Sequence, residues 1–319
     1  MSCSATLWFF LLNCWSPPIA NGQSGRTIES IEPKSQGPVL PVEMGSRISE
    51  LAVRKRWKEV AESAQRKILA EPSDPDGFYW LGTARLELHD SIGAVQALRS
   101  AQDLGMSKSI LHENLGRAYY NLNQFILFQQ QMEEASRLDP RSFKPNYFLG
   151  LYHLAIRSDV ATALTFFDKA TKLAPNDWKS LYQEGRCLEL GGKSNEALEY
   201  YARAIRILEK SNEPFGWPFQ AMAHLMINQD PQQALDFAKK AVEREPHEYS
   251  NHLTLAQVYE RLGNIPEAIG EAKVAENQSP NANAVRYLLF MLYRKAGNQQ
   301  AAQAELEVFQ KLKAIYGSE

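Results

Sequence analysis

From residue 41 almost to the C-terminus, apolar positions recur at three- and four-residue intervals, and alternating runs of Val, Ile and Thr are scarce, so the pattern predicts helices and no strands. A longer period lies over this one. Leu81-Gly82, Leu115-Gly116, Leu149-Gly150 and Glu184-Gly185 form a series that Leu255-Ala256 continues, at spacings of 34, 34, 35 and 71 residues, the last spanning two units. A second landmark follows at Ala94, Ala163, Ala197, Ala234, Ala268 and Ala302, and seven residues later stand Ala101, Ala170, Ala204, Ala241, Ala275 and Phe309. Pro72, Pro140, Pro175, Pro246 and Pro280 close the unit, since proline lacks the amide donor that would continue a helix.

These landmarks resemble the tetratricopeptide repeat, W-x2-L-G-x2-Y followed by A-x3-F, A and P within about 34 residues. The resemblance divides the chain into eight units, 41–74, 75–108, 109–142, 143–177, 178–211, 215–248, 249–282 and 283–316. It implies an all-α fold, a right-handed α-solenoid in which each unit is a pair of antiparallel helices, the TPR superhelix. Small residues let the paired backbones approach, and Gly82, Gly116, Gly150 and Gly185 are expected to meet the alanines of the Ala94 and Ala163 class. Lys67 occupies an alanine position and makes the first unit the most divergent.

The resemblance also implies that the leading helix of each unit lines a concave groove. Its second, fifth, ninth and twelfth positions share one stripe. The fifth positions are Tyr79, Glu113, Tyr147, Tyr182, Phe219, Leu253 and Tyr287, an aromatic track, and Lys144, Lys179, Arg117, Arg186 and Gln257 stand nearby. A moderately basic, donor-rich groove of this kind suits a protein or peptide segment: aromatic faces supply area at low entropy cost and arginine forks hold carboxylates. Family members that dock chaperones clamp a C-terminal carboxylate with Lys, Asn and Arg. Here Asn114 and Lys144 fill two of those places while Tyr79, Thr83 and Phe148 interrupt the rest, so that partner class is not expected.

Composition narrows the function further. The 319 residues are 44% apolar with a net charge of −2, which leaves no basic footprint for nucleic acid. The uncharged start "MSCSATLWFFLLNCWSPPIANG", with an apolar run from Leu7 to Leu12, reads as a secretory signal cut near Gly22, so the chain is expected to be exported to a periplasm or secreted. A misassigned start would instead leave a cytoplasmic adaptor. The run is far shorter than the ~20 residues that span a bilayer. Residues 23–40, rich in Ser, Gly, Pro and charge, read as a flexible leader. Removal of the signal leaves Cys187 as the one cysteine, without a disulfide partner and best read as a small buried side chain.

Catalytic chemistry is absent from the pattern. His247 and His252 stand five apart and do not share a helix face, and no G-x-S-x-G, phosphate loop or Cys-x-x-Cys occurs, so neither an enzyme nor a cofactor nor a metal is expected. Two local features remain. In "NEPFGWPFQ" (212–220) the register breaks by three residues; Trp217 and Pro218 open the sixth unit and Phe219 falls at a groove position, the one residue of the stretch expected to touch a ligand. At the far end Val308, Leu312 and Ile315 form a stripe where a ninth unit would pack, a surface expected to pack on another protein or on a second copy of the chain. The sum is a non-enzymatic exported scaffold for a protein segment, for which the resemblance implies a role in envelope complex assembly; a carbohydrate or cell-wall binder stacking sugars on Tyr147, Tyr182 and Phe219 is the alternative from another class.

Overall fold

The structure is a computed structural model that describes residues 41–211 and 213–316. The expected signal, the leader and the last three residues lie outside these. Among the described residues there are sixteen helices and no strand: α1 (Pro41–Val53), α2 (Trp57–Ala70), α3 (Pro75–Glu87), α4 (Ser91–Asp103), α5 (Ser109–Asn121), α6 (Phe125–Leu138), α7 (Lys144–Ala155), α8 (Val160–Leu173), α9 (Trp178–Leu190), α10 (Ser194–Ser211), α11 (Trp217–Met226), α12 (Pro231–Arg244), α13 (Tyr249–Arg261), α14 (Ile265–Gln278), α15 (Asn283–Lys295) and α16 (Gln299–Tyr316). They divide into two compact bodies, residues 41–149 and 150–316, with the division falling inside α7.

Local chemistry sets the helix starts. Asp90, Asp159, Asp177 and Asp230 each accept a backbone N–H from the residue three further on, at 2.8–3.0 Å, which satisfies amides that the helix itself leaves open. Seven of the eight tight turns inside the hairpins carry one left-handed residue, filled by Gly192, Gly263 and Gly297 in three cases and by Lys55, His89, Asn123 and Ser158 in four others. A side chain there strains against the backbone, so these four turns are held by the packing of the helices they join.

The glycines of the repeat do not meet the alanine class. A Cβ on Gly82 would stand 2.6 Å from Leu98, one on Gly116 2.5 Å from Met132, one on Gly150 2.8 Å from the Phe167 ring and one on Gly185 2.6 Å from the Tyr201 ring. Each partner lies four residues beyond the landmark position, where the helix presents a bulky inward side chain. Met132, Phe167 and Tyr201 are fully buried there, so the glycine is the space that a bulky residue occupies. The arrangement reverses elsewhere. In the first unit the glycine position holds Ile48 and its counterpart is Ala64; in the sixth it holds Met222 against Ala238.

In the body 41–149, Ile48, Leu51, Val60 and Ala84 form a core with Trp57 and Trp80 packed on it. Lys67, at its alanine position, is buried with its ammonium 2.5 Å from Asp74 and 2.8 Å from Glu71. In the body 150–316 the largest core joins Trp178, Leu181, Tyr182, Tyr201, Leu208, Trp217 and Phe219. The terminal stripe is interrupted: Leu312 is buried, Val308 is half-buried, and Ile315 alone is fully exposed, so the expected continuous face reduces to one end of α16.

Gly150→Met is expected to destabilise the fold by about 1–3 kcal/mol through overpacking against Phe167. Phe167→Ala should cost about 3–5 kcal/mol alone. The double variant, which copies the Met222 and Ala238 order, should be more stable in urea unfolding than the sum of the two single losses.

Candidate functional site

In the body 41–149 the leading-helix face opens into a cleft of about 450 Å³, lined by Gly45 and Ser49 of α1, Lys67 of α2, Asp76, Tyr79 and Trp80 of α3, and Met106, Lys108 and Ile110. Its shape follows from residue size. α1 carries glycine and serine on the face where α3 carries a tyrosine, and a Cβ on Gly45 would meet nothing within 4 Å. The Tyr79 and Trp80 rings meet edge to face at 5.3 Å and form one wall. Thr83 donates its hydroxyl to the Tyr79 carbonyl and receives the Asn114 amide at 3.1 Å, which ties α3 to α5 behind the wall. Burial pushes the Tyr79 phenol above its ordinary range, so it stays a neutral donor.

The cations expected to make the face basic are engaged within the chain. Arg117 donates to Glu87 at 2.8 Å, and Lys144 lies 3.8 Å from Glu113. Glu113, the one acid on the aromatic track, is 4% exposed and accepts the Ser142 hydroxyl at 3.0 Å. In the other body, the Lys179 ammonium sits over the Trp178 and Phe215 rings at 5.6 and 5.5 Å, and Arg186 lies over Tyr182 and donates to Gln183. Gln257 is half-buried on α13. Apart from Lys144, whose side chain is 50% exposed, these residues are part of the packing, and the open charge they leave on the face is small.

Burial corrects the aromatic track as well. Tyr147 and Tyr182 are 6% and 4% exposed, and Phe219 is 0% exposed. Arg244 covers the Phe219 ring at 4.5 Å, with Lys240 at 5.9 Å. Phe219 therefore has no face for a ligand, and none of the three can serve as a sugar-stacking platform. Tyr79 is half-buried and lines the cleft; Tyr287 is 48% exposed and leans on Phe290 and Phe309.

The stretch around Phe219 is a joint. Phe215 packs on Trp178 at 4.8 Å and on Trp217 at 5.4 Å, and the Trp178 indole donates to Glu213 at 3.1 Å. Gly216 is required at its position: its N–H donates to Glu245 at 2.7 Å, and a Cβ would lie 2.8 Å from the Ala241 carbonyl. Arg244 donates to the Glu213 carbonyl, and Asn251 donates to the Ala241 and Glu245 carbonyls. Burial raises the Glu245 carboxyl to about 7, with Glu248 adding to the rise and the Gly216 N–H opposing it. Sequence reasoning missed this polar knot, and it missed Trp80, Met106, Lys108 and Ile110 around the cleft. Ile110 and Asp76 stand at second positions of the stripe and could have been found by that rule; Met106 and Lys108 come from the connection before α5 and carry no such signal.

Among the described residues, no group of three or more His, Cys, Asp or Glu is placed to hold a metal, and no helix is long and apolar enough to cross a membrane. Cys187 is buried, which pushes its thiol up to about 12.

Helix pairs with this spacing, closed by prolines and packed small against large, define an all-α tetratricopeptide solenoid. Tetratricopeptide repeat family models match residues 157–212 and 225–289, and these matches support a tetratricopeptide repeat protein, a class of protein-binding scaffolds and adaptors that is typically non-catalytic. The chain is similar to the photosystem I assembly protein Ycf3 of Synechococcus sp. (strain CC9605), 28% identical over 114 residues that cover 34% of this chain and 66% of that protein. Among solved structures, a chain of the APC/C hetero-tetramer Cut9-Hcn1 superposes with a TM-score of 0.66 at 15% identity, over 79% of this chain and about half, 48%, of that one. The C-terminal part of a TPR repeat-containing protein from Cytophaga hutchinsonii gives a TM-score of 0.55 at 15% identity, over 77% of this chain and 99% of that one. At such identities the likeness is one of fold.

Two outcomes follow from the burial. Phe219→Ala should lower the unfolding free energy by about 3–5 kcal/mol, as expected for a fully buried ring, and be read in thermal melts. Glu245 has a folded pKa above its ordinary 4.5, so its contribution is fully favourable below that value and is lost as pH rises to about 7. Glu245→Gln should therefore match wild type near pH 4.5 and exceed it in melting temperature near pH 8, by up to about 3 kcal/mol in stability.

Proposed function

We propose that this protein is an exported, non-enzymatic adaptor that holds a segment of a partner protein on the leading-helix face of residues 41–149, with the cleft beside Tyr79 and Trp80 as its anchor pocket. The cleft carries the reading: an open depression of about 450 Å³ walled by two rings, with polar groups at its edge. Aromatic side chains fixed by packing bind at low entropic expense, and Trp and Tyr are the residues most often found at the centre of protein interfaces. Binding here is preformed shape without turnover.

A role in assembling an envelope complex agrees with the uncharged apolar start of the chain, and Ycf3 is by its name an assembly protein. The carbohydrate alternative has lost its support, because the side chains proposed to stack on sugars are covered. Ile315 leaves self-association through the end of α16 as a secondary surface, smaller than the stripe implied.

A photo-crosslinking residue at the exposed Ser49 should capture one partner protein that the same residue at Lys239 does not. Tyr79→Ala should reduce that capture by about tenfold or more, the usual effect of deleting a central aromatic, without changing the melting curve by as much as Phe219→Ala. Crosslinks that appear equally at both positions would sink the assignment of the face. Sequencing of the native chain should place its N-terminus at Gln23 if the chain is exported and its signal is cut.

A further inference from the structure

We infer that the anchor pocket selects a partner segment carrying an arginine, whose guanidinium lies against the Tyr79 and Trp80 rings with its charge matched by Asp76. The inference rests on the reading that this cleft is the docking site, and the charges around it supply the argument. Lys67 lines the floor, yet its ammonium is held by both Asp74 and Glu71, at 2.5 and 2.8 Å, and its side chain is only 8% exposed. It offers a methylene surface and no open charge. Asp76 is half-exposed at the edge, and among the described residues its one ion-pair partner is Lys108 at 3.9 Å, a side chain 64% exposed that is free to swing into solvent. Two ammonium groups therefore stand against three carboxylates around an aromatic wall.

A carboxylate entering this cleft would meet Asp76, and of the two lysines in the lining it could reach Lys108 alone, in competition with Asp76. A cation gains from both elements: the ring faces attract it, and displacement of Lys108 leaves Asp76 to pair with it. Arginine fits better than lysine, because a planar, weakly hydrated guanidinium stacks on rings and gives up less hydration on entering a half-buried cleft. The groove cations read from the sequence would favour an acidic segment. Their neutralisation inside the chain reverses the preference at this site.

Fluorescence anisotropy of the full chain with labelled, blocked nonapeptides of Gly and Ala tests this, using one central residue varied among Arg, citrulline, Leu and Glu. Citrulline keeps the shape of arginine and removes its charge. The Arg peptide should bind about five- to tenfold more tightly than the citrulline peptide at low salt and lose most of that margin near ~0.5 M salt. Asp76→Asn and Tyr79→Ala should each erase the margin, Lys108→Ala should widen it, and thermal melts confirm that the variants are folded. Equal binding of Arg and citrulline, or preference for Leu or Glu, overturns the arginine inference; if Tyr79→Ala still abolishes that binding, the cleft stands as the docking site. Absence of binding by every peptide overturns both.

Discussion

The contact on which the architecture turns is the approach of a glycine in the leading helix to a bulky buried side chain of the helix that follows. Gly82, Gly116, Gly150 and Gly185 each leave a gap into which Leu98, Met132, the Phe167 ring and the Tyr201 ring fit with almost no clearance. That fit sets how close the helices of a pair lie, and the position of every other residue on the leading helix follows from it. Tyr79 reaches the cleft because Gly82, three residues on, lets α3 lie flat against α4; Tyr182 is buried because Gly185 does the same for α9 against the bulkier Tyr201.

Charge is handled with similar economy. Near the leading-helix face Arg117 and Lys67 are closely paired with carboxylates and Lys179 and Arg186 lie over rings, while Lys144 and Lys108 keep looser pairs with at least half of the side chain exposed. Desolvated charges left without partners would be expensive, so the pairing is a condition of burying them. What remains open is a small region whose chemistry is set by residues that are only partly consumed, Asp76 and Lys108 among them. The surface available to a partner is therefore defined less by which charged residues are present than by which have been left incompletely paired.

The fold was legible because its landmarks are steric. A glycine, an alanine and a proline at fixed spacing constrain backbones directly, and spacing survives in a sequence. The identity of the glycine's partner was not legible, since the landmark alanine advertises itself while the bulky residue four positions later varies among Leu, Met, Phe and Tyr. The candidate site was half legible. Tyr79 was placed where it lines the cleft, but Phe219 was not seen to be covered, because Arg244 reaches it from a helix 25 residues downstream and no periodicity encodes that reach. Arg117 and Glu87 lie 30 residues apart, so their pairing emerges only when adjacent units are stacked.

The reversal of small and large between units has a further effect on how the chain finds its pairing. A repeat protein risks exchanging helices between neighbouring units, because each hairpin resembles the next. Here an exchange between the fifth and sixth units would set Gly185 against Ala238, leaving a void, and Met222 against Tyr201, a collision. At that same junction the "NEPFGWPFQ" stretch is pinned by the hydrogen bonds of Glu245 and Arg244, and Asn251 holds the Glu245 carbonyl. The bulk of one residue per helix thus acts as an address, and at this junction it changes most sharply from one hairpin to the next.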